Sequence, residues 1–374
     1  MKAVVVTGIW PPDSGGPASH APALAAFLHE RGHGVEVVTT ADSLPAPRDY
    51  AVHWVPRRSP LRHARAAVLV RSAAARADVV YATSMIRRAA LGASLARRPL
   101  VVKLVSDEVF ERARRSGRYD GTLDEFQDAG GTRVRFMRST RDAALRRARH
   151  VFCPSAYLRR LALGWGLDPE RVSVLPNPAP EVPQLPPREE LRAELALDGK
   201  VLAFAGRLGP QKSVDVALEA VAAVPGVTLA IAGDGPDRAA LERRARELGL
   251  DGRARFLGSL SREGVLRLFR AADASVLSSS WENFPHTVVE ALAVGTPVVS
   301  TSVGGVPEVV SDGENGLLVP PGDPAALAAA IARLFDDESL RQRLADAAAP
   351  SVAGHTEEAT FARIEEELLR AAAG

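Results

Sequence analysis

Short apolar runs alternate with longer segments of helical pattern along the first half of the chain. The runs are rich in Val and match strands that are buried on both faces of a parallel sheet. The segment 18–33, between the first two runs, has the apolar spacing of a helix. The strand-like runs are KAVVVTG, GVEVVTT, DVVYAT, LVVKLV, HVFCPS and VSVLP. This alternation predicts an α/β domain with a doubly wound parallel sheet.

A proline-rich stretch interrupts the alternation, which then restarts. Residues 175–187 contain six prolines, which forbid regular structure and indicate a linker. The later strand-like runs are KVLAFAG, VTLAIAGDG, ARFLGS, ASVLSSS, TPVVSTS and NGLLVP. We therefore predict a Rossmann-like domain over residues 1–178, a second one over 179–355, and a C-terminal helix over 356–374 that can pack back on the first domain.

Composition narrows the class of protein. The chain of 374 residues is 46% hydrophobic and 25% charged, as in globular proteins. No run approaches the roughly 18 apolar residues of a membrane span, and the start MKAVVVTGIWPP fits a buried strand better than a signal peptide. The single cysteine, Cys153, excludes an internal disulfide and a cysteine-based zinc cluster, and it favours a cytoplasmic setting.

The net charge of +2 hides a strong asymmetry. Residues 1–176 contain 28 Lys and Arg against 16 Asp and Glu, a net +12, whereas the remainder contains 19 against 29, a net −10. A basic half suits an anionic substrate or an anionic membrane surface. Nucleic acid is disfavoured, because the arginines are scattered without interleaved aromatic residues.

The stretch WENFPHTVVEAL, residues 281–292, places charges where burial is expected. Glu290 stands among apolar residues, and an unpaired buried carboxylate is unfavourable, so it requires a partner or reduced burial. Asn283 is a favoured N-cap and Pro285 suits a first helical turn, which predicts a helix from here to about Val294. Its free N–H groups would form an anion site, with Glu282 just before them.

A second loop supplies cations. In GRLGPQKS, Arg207 and Lys212 lie five residues apart on a Gly/Pro loop after a strand. Arginine can grip phosphate oxygens bidentately and lysine acts as a point charge, so a pyrophosphate is the simplest shared ligand. No GxGxxG occurs in the loops that follow strands, and a dinucleotide fingerprint is therefore absent.

The ordered motifs of the second half resemble a known family. GRLGPQKSVDVALEA, IAGDGPDRAALE, FLGSL, WENFPHTVVEALAVGTPVVSTSVGGVPEVV and NGLLVPPGD look like the retaining nucleotide-sugar glycosyltransferases of family 4 (glycosyl transferases group 1). The resemblance covers residues 200–325 best and 45–150 least. It implies the GT-B fold, an α/β arrangement of two Rossmann-like domains that face each other across an interdomain cleft, with the acceptor on the first domain and the donor on the second.

The resemblance also implies roles for individual residues. Arg207 and Lys212 would hold the donor diphosphate, Glu282 would accept from hydroxyls of the transferred sugar, and Glu290 from ribose hydroxyls. Main-chain groups around Phe256 and Leu257 would bind the base. Further donor-binding positions are Gly15, Gly16, Gly206, Gly233, Asn283, Phe284, Pro285, His286 and Thr287.

The acceptor half departs from the family pattern. Members often have His-Asp after the strand that corresponds to LVVKLV, whereas this chain has Ser106-Asp107-Glu108. Asp107 is still predicted to be catalytic, with Ser106 and Glu108 beside the acceptor. Residues 117–142 match no pattern. Their arginines, above all Arg135 and Arg138, could bind an anionic acceptor or could simply be solvated. The basic amphipathic segment 57–77 fits either a membrane-surface helix or a covering helix.

Taken together, these residues predict an enzyme. It would move a hexose from a UDP- or GDP-sugar to a hydroxyl of a small-molecule, glycan or lipid-linked acceptor, with retention of configuration. No cofactor and no metal are expected, because no Asp-x-Asp occurs in the loops and cations already serve the diphosphate. The alternatives are a nucleotide-sugar epimerase of the same architecture and a non-catalytic nucleotide-sugar binding protein. A cytoplasmic protein with peripheral membrane contact through its basic half is expected.

Overall fold

The structure is a computed structural model of the chain and describes residues 1–12 and 17–374. It divides into two compact units, one of Met1–Pro176 with Glu358–Gly374 and one of Asn177–Glu357. Gly15 and Gly16, which were predicted to bind the donor, lie outside the described residues.

The first unit is a parallel sheet with helices between its strands. The strands are β1 (Lys2–Thr7), β2 (Gly34–Ala41), β3 (Ala51–Pro56), β4 (Val79–Ala82), β5 (Leu100–Lys103), β6 (His150–Cys153) and β7 (Val172–Val174). The helices are α1 (Pro17–Glu30), α2 (Arg62–Ala74), α3 (Ile86–Ala96), α4 (Glu108–Arg115), α5 (Leu123–Phe126), α6 (Thr132–Leu145) and α7 (Ala156–Gly164).

The strand order in this sheet is β3-β2-β1-β4-β5-β6-β7, and every neighbouring pair is parallel. The order therefore reverses between β1 and β4, which is the switch point where ligands bind in open α/β sheets. The strand β3 was missed by the sequence analysis. In its sequence AVHWVP the apolar run is interrupted by His53 and ends at a proline, and as an edge strand it is only half-buried.

The second unit repeats the architecture. Its strands are β8 (Lys200–Ala205), β9 (Val227–Ala232), β10 (Ala254–Gly258), β11 (Ala274–Leu277), β12 (Val298–Thr301) and β13 (Gly316–Val319). Its helices are α8 (Arg188–Glu194), α9 (Val214–Ala223), α10 (Arg238–Glu247), α11 (Arg262–Ala271), α12 (His286–Ala293), α13 (Pro324–Asp336) and α14 (Glu338–Val352). The order β10-β9-β8-β11-β12-β13 is parallel throughout and reverses between β8 and β11.

Both faces of the second sheet are covered. Along β8, Leu202 and Phe204 belong to one buried cluster, and Val201 and Ala203 belong to another. Successive side chains of a strand point to opposite faces, so this division shows a core on each side. The prediction of two doubly wound α/β domains is confirmed by the two sheets.

The segments that join and end the units are also visible. Residues 175–187 contain no helix or strand, as predicted from their prolines. The last helix, α15 (Glu357–Ala373), places Phe361 and Leu368 in the core of the first unit beside Leu24. On the same helix, Glu365 pairs with Arg31 at 2.8 Å. Among the described residues, no helix has the length and apolar character to cross a membrane.

Candidate functional site

Glycine loops at the carboxyl ends of three neighbouring strands hold one another through backbone hydrogen bonds. The N–H of Gly206, after β8, donates to the carbonyl of Ala232 at 3.0 Å, and the N–H of Gly233, after β9, donates to the carbonyl of Gly258 at 2.7 Å. A Cβ on Gly233 would lie 1.9 Å from the carbonyl oxygen of Gly206, and Gly233 has φ +145°. Only glycine fits there, because both the backbone conformation and the close approach exclude a side chain.

Lys212 and Glu282 form a direct ion pair. The Nζ atom of Lys212 lies 2.5 Å from Oε1 of Glu282, and the two side chains are only 16% and 8% exposed. The hydroxyl of Ser279 donates to the same carboxylate oxygen at 2.7 Å. The sequence analysis gave the lysine to phosphate and the carboxylate to sugar hydroxyls as separate tasks. The structure joins the two residues instead, since an ammonium has three N–H groups and can serve a carboxylate and a phosphate together.

Ser279 is a site residue that the sequence analysis missed. It lies in the SSS run that follows β11, and this run is tied to the lysine loop by further hydrogen bonds. The Ser278 hydroxyl donates to the carbonyl of Lys212 at 2.9 Å, and the side-chain amide of Gln211 donates to the carbonyl of Trp281 at 3.0 Å. Three serines directly after a buried strand are the signal that could have identified this contact.

Arg207 differs from Lys212 in its surroundings. It is exposed, and within the described part of the chain it forms no ion pair. The structure therefore brings Lys212, Ser279 and Glu282 together at the switch point between β8 and β11, whereas Arg207, on the loop after β8, is exposed.

The helix after Glu282 begins later than the sequence suggested. Pro285 is the N-cap of α12, no side chain caps the helix, and His286 is its first residue. The prediction that Asn283 is the N-cap is wrong. Asn283 is 7% exposed, and its Oδ1 atom has no hydrogen-bond donor among the described residues. Pro285 thus offers no side-chain acceptor to the first-turn N–H groups of α12, and the start of a helix favours an anion.

The segment between Asn283 and α12 is held by contacts with Asn177. The side-chain amide of Asn177 donates to the carbonyl of Phe284 at 3.4 Å and lies 3.1 Å from Nε2 of His286. Phe284 itself is buried, and Thr287 is half-buried on the first turn of the helix. These contacts hold the helix start in place, and the backbone roles predicted for Phe284, His286 and Thr287 remain predictions.

The carboxylate of Glu290, which the sequence places among apolar residues, has little compensation in the structure. Its side chain is 17% exposed, and its nearest cation among the described residues is Arg262 at 3.9 Å, on a side chain that is 45% exposed. Burial raises the pKa of Glu290 to about 7, although the Arg262 charge opposes the rise. Glu282, with a lysine and a serine on one oxygen, is far better satisfied. A ligand with hydroxyl groups would supply the hydrogen-bond donors that the Glu290 carboxylate lacks.

The raised pKa of Glu290 makes stability depend on pH. Ionisation of Glu290 costs more free energy in the folded chain, where its pKa is about 7, than in the unfolded chain, where the pKa has its ordinary value of 4.5. The native state therefore holds the extra proton between these values, and stability falls as pH rises through this window. We expect Glu290→Gln to leave the free energy of unfolding nearly unchanged near pH 5 and to raise it by on the order of 3 kcal/mol at pH 8. Urea denaturation of the ligand-free protein at both pH values measures the difference.

The matched control for this prediction is Glu314→Gln, because Glu314 is exposed in the same unit. We expect it to change stability by less than about 0.5 kcal/mol at either pH. An equal effect of Glu290→Gln at pH 5 and pH 8 would contradict the burial argument.

Phe256 and Leu257 lie on β10, an edge strand of the second sheet. The ladder to β9 shifts its register between Phe256 and Gly258. An edge strand leaves main-chain groups of one side outside the ladder, and such groups can recognise a flat heterocycle. The position is compatible with the predicted main-chain contacts to a base.

The structure gives Asp107, in the first unit, a structural role. Its Oδ1 atom accepts from the N–H groups of Val109 at 2.9 Å and Phe110 at 3.2 Å and so caps α4. Its Oδ2 atom lies 2.5 Å from a guanidinium nitrogen of Arg141, and the two side chains are 0% and 1% exposed. The structure does not support a catalytic Asp107, because a sealed and paired carboxylate cannot reach a substrate.

The arginines of α6 are not one solvated face. Arg141 is buried and stacks on the ring of Trp165, with 3.6 Å between guanidinium carbon and ring centroid. Arg138 stacks over Phe126 at 5.0 Å and donates to the carbonyl of Gln127. Arg133 and Arg135 are exposed. The predicted acceptor role of Arg138 is therefore weakened, since its guanidinium is already engaged by the protein.

The remaining predicted acceptor residues lie at the start of α4. Glu108 pairs with Arg87 at 3.2 Å, and Ser106 hydrogen-bonds the Glu111 side chain. Burial raises the pKa of Glu111. Among the described residues, no group of three or more His, Cys, Asp or Glu could hold a metal ion.

The fold is that of an α/β protein of two Rossmann-like units. At the switch point of the second sheet lies a site whose groups can bind an anion and hydroxyl groups. Family comparison is consistent with this class. The model described as "Glycosyl transferases group 1" matches residues 187–350, and the "Glycosyl transferase 4-like domain" model matches residues 15–178. The chain belongs to the group 1 glycosyltransferase family, as its motifs predicted.

Individual relatives agree with this assignment. The D-inositol 3-phosphate glycosyltransferase of Mycolicibacterium vanbaalenii is 37% identical over 216 residues, which cover 52% of this chain and 48% of the relative. The lipopolysaccharide core biosynthesis glycosyltransferase LpsE of Rhizobium meliloti is 39% identical over 158 residues, covering 42% and 46%. The chain thus spans about half the length of the curated relatives it matches.

Solved structures extend the likeness over the whole chain. Anabaena HepE in complex with UDP has a TM-score of 0.80 at 23% identity, covering 99% of this chain and 100% of that one. The sucrose-phosphate synthase of Thermosynechococcus elongatus has a TM-score of 0.82 at 20% identity, with 99% of each chain covered. At these identities the likeness establishes the fold, and the GT-B prediction is confirmed.

Proposed function

We propose that this protein moves a hexose from a UDP- or GDP-sugar to a hydroxyl of a small-molecule, glycan or lipid-linked acceptor, with retention of configuration. The observation that carries the proposal is the pairing of Lys212 with Glu282 beside the uncapped start of α12. A positive charge, the start of a helix and a carboxylate within one small region suit a ligand that is part phosphate and part sugar.

In this proposal each group has one task. Lys212 and the exposed Arg207 neutralise the donor diphosphate together with the first-turn N–H groups of α12. Glu282 accepts from hydroxyls of the transferred sugar while it keeps Lys212 in position. Glu290 accepts from the ribose, and the edge of β10 meets the base.

The reaction would proceed by stabilisation of the leaving diphosphate. As the glycosidic bond breaks, negative charge grows on the diphosphate, and the cations around it lower the barrier without a protein nucleophile. The acceptor hydroxyl attacks the anomeric carbon from the face that the diphosphate leaves and gives its proton to the departing diphosphate oxygen, which retains the anomeric configuration. We propose that no metal is required, since Arg207 and Lys212 supply the positive charge.

Names of relatives support the proposal at a coarser level. HepE has been solved with UDP, with UDP and glucose, and with UDP-glucose, and this supports a nucleotide-sugar donor for a chain of the same fold. The relatives named as D-inositol 3-phosphate and lipopolysaccharide core glycosyltransferases support sugar transfer. The cytoplasmic setting predicted from the single cysteine stays a prediction.

Binding of nucleotides tests the proposal directly. We expect UDP or GDP at about 100 times its dissociation constant to stabilise the folded chain by about 2.7 kcal/mol, which is visible as a rise in melting temperature. Because the ribose would favour ionised Glu290, binding near pH 7 should release a proton, measured by titration calorimetry in buffers of different ionisation enthalpy. Glu290→Gln should bind without this release. If no nucleotide or nucleotide-sugar shifts the melting temperature, the proposal fails.

Turnover distinguishes the proposal from the two alternatives. Incubation with the donor that binds should give slow hydrolysis without an acceptor, and Glu282→Ala should abolish it. An epimerised nucleotide-sugar would instead indicate an epimerase. Tight binding with neither hydrolysis nor transfer would indicate a binding protein.

A further inference from the structure

A large cavity opens in the first unit, and none of the predicted donor residues that the structure describes lines it. Its volume is about 950 Å³, which is in the range of small-molecule sites. Gly8 follows β1, Ser84 follows β4 and Val105 follows β5, and all three line it. The cavity therefore lies at the carboxyl ends of the strands, at the switch point between β1 and β4.

The cavity wall is strongly basic. Among the described residues that line it there are six arginines and one carboxylate, Glu108, so this part of the lining has a formal charge of +5. The charge is still +3 when Asp42 and Glu111, the partners of two lining arginines, are included. The lining arginines are Arg57, Arg62, Arg87, Arg88, Arg112 and Arg115.

The arginines divide into two groups. Arg57, Arg87 and Arg115 each pair with a carboxylate. Arg62 and Arg112 form no ion pair within residues 1–12 and 17–374, and neither does Arg88, which hydrogen-bonds the ring of His63. Three guanidinium groups from three different helices thus line one space, and none of the three forms an ion pair with a described residue.

The positive charge of these arginines also affects His63, which lies beside them. His63 lies in the cavity wall, and its Nδ1 atom accepts from Arg88. Burial lowers the pKa of His63, and the charges of Arg88, Arg62 and Arg112 lower it further. Burial and nearby arginines also lower the pKa of Arg88. Concentrating positive charge is unfavourable for the empty protein, and a bound anion would relieve it.

We infer that this cavity is the acceptor site, and that its acceptor carries a phosphate monoester beside the hydroxyl that receives the sugar. The inference rests on the proposed function. A phosphate monoester has a charge of about −1.5 to −2 at neutral pH and offers three oxygens, so it can engage several guanidinium groups at once. A single carboxylate would leave most of the charge uncompensated.

The inference moves the acceptor arginines to different helices. The two acceptor arginines predicted from the sequence, Arg135 and Arg138, lie on α6, where Arg138 is engaged by the protein and Arg135 is exposed. The cavity instead draws on α2, α3 and α4, and of the predicted acceptor residues only Glu108 lines it. The basic face of α2, for which a membrane or covering role was predicted, becomes part of a ligand site.

Apolar side chains accompany the basic wall. Leu91 lines the cavity and is 49% exposed, and Leu61, next to Arg62 in the chain, is 66% exposed. The phosphate monoester can therefore belong either to a soluble sugar phosphate or to a lipid headgroup. The chemistry at the arginines is the same in both cases.

Titration calorimetry of the full chain tests the inference with a matched pair of probes, glucose 6-phosphate and glucose. We expect glucose 6-phosphate, or vesicles of phosphatidylcholine that contain phosphatidic acid, to bind, and glucose or pure phosphatidylcholine vesicles not to bind. The variant Arg62→Gln/Arg112→Gln should weaken this binding by about tenfold or more, because hydrogen bonds to charged groups are the strong ones.

The control variant Arg65→Gln/Arg118→Gln removes two exposed arginines of the same unit that do not line the cavity. It should bind the phosphate probes as the natural chain does. Binding of glucose 6-phosphate alone supports a soluble acceptor, and binding of phosphatidic acid vesicles alone supports a lipid one.

Nucleotide binding separates this inference from the proposed function. If the natural chain binds UDP or GDP but neither phosphate probe, or if both double variants lose the phosphate probe equally, the inference is overturned while the proposed function stands. If no nucleotide binds, the proposed function itself fails. The cavity variant should keep the melting temperature and the nucleotide affinity of the natural chain, which confirms that it is folded.

Discussion

Replacing Lys212 by methionine is expected to lower kcat/KM for sugar transfer by about 100- to 1,000-fold, the usual cost of losing one preorganised group that stabilises transition-state charge. Lys212 is nearly buried and held by Glu282 at 2.5 Å, so its ammonium is fixed before the donor arrives. A fixed charge in a partly dry site acts more strongly than a mobile one in water. Steady-state kinetics with the donor identified by binding measures the effect.

The structure requires a second variant for this prediction, because Lys212→Met also leaves Glu282 without its counter-charge. The double variant Lys212→Met/Glu282→Gln has no unpaired carboxylate, but it also lacks the ammonium group that would stabilise the diphosphate. We expect the double variant to remain as inactive as the single one. Recovery of transfer in the double variant would show that the lysine serves only to neutralise Glu282.

Lys200→Met is the matched control for charge. Lys200 is 42% exposed and pairs at 3.5 Å with Asp336, which is 76% exposed, in the same unit. Exposed ion pairs of this kind contribute little, and we expect its transfer kinetics to equal those of the natural chain.

Replacing Arg141 by methionine is expected to lower the free energy of unfolding of the first unit by about 3 to 5 kcal/mol. Arg141 is 1% exposed, and its removal leaves Asp107, which is 0% exposed, without its counter-charge. The stacking on Trp165 at 3.6 Å is also lost. Urea denaturation followed by tryptophan fluorescence reports mainly this unit, because Trp10, Trp54 and Trp165 lie in it and only Trp281 lies in the other.

Arg135→Met is the control on the same helix, and we expect it to change stability by less than about 0.5 kcal/mol, because Arg135 is exposed. Asp107→Asn in the Arg141→Met background should restore part of the lost stability, since a neutral amide replaces the stranded charge. Equal stability of Arg141→Met and Arg135→Met would contradict the buried pair. Retained nucleotide affinity of Arg141→Met would show that the loss is structural.

Much of the second unit could be predicted from the sequence because its site is built from contiguous stretches. Lys212 lies on the loop after β8, and Glu282 and Glu290 lie on one loop and helix after β11. Strand-loop-helix segments carry their geometry locally, so apolar periodicity and capping residues place them. The start of α12 was misjudged because Asn283 has the side chain of an N-cap, whereas the N-cap in the structure is Pro285, two residues later.

The sequence was enough to predict the two α/β units, the proline-rich segment between them, the family and the charged residues of the loops after β8 and β11. Three features depend on the tertiary structure. Lys212 pairs with Glu282, and Asp107 and Arg141 form a buried ion pair. Arginines from α2, α3 and α4 that form no ion pair with a described residue line one cavity. Local patterns report burial and helix ends. Which distant side chains meet depends on strand order and helix packing, and no local period of the sequence encodes these.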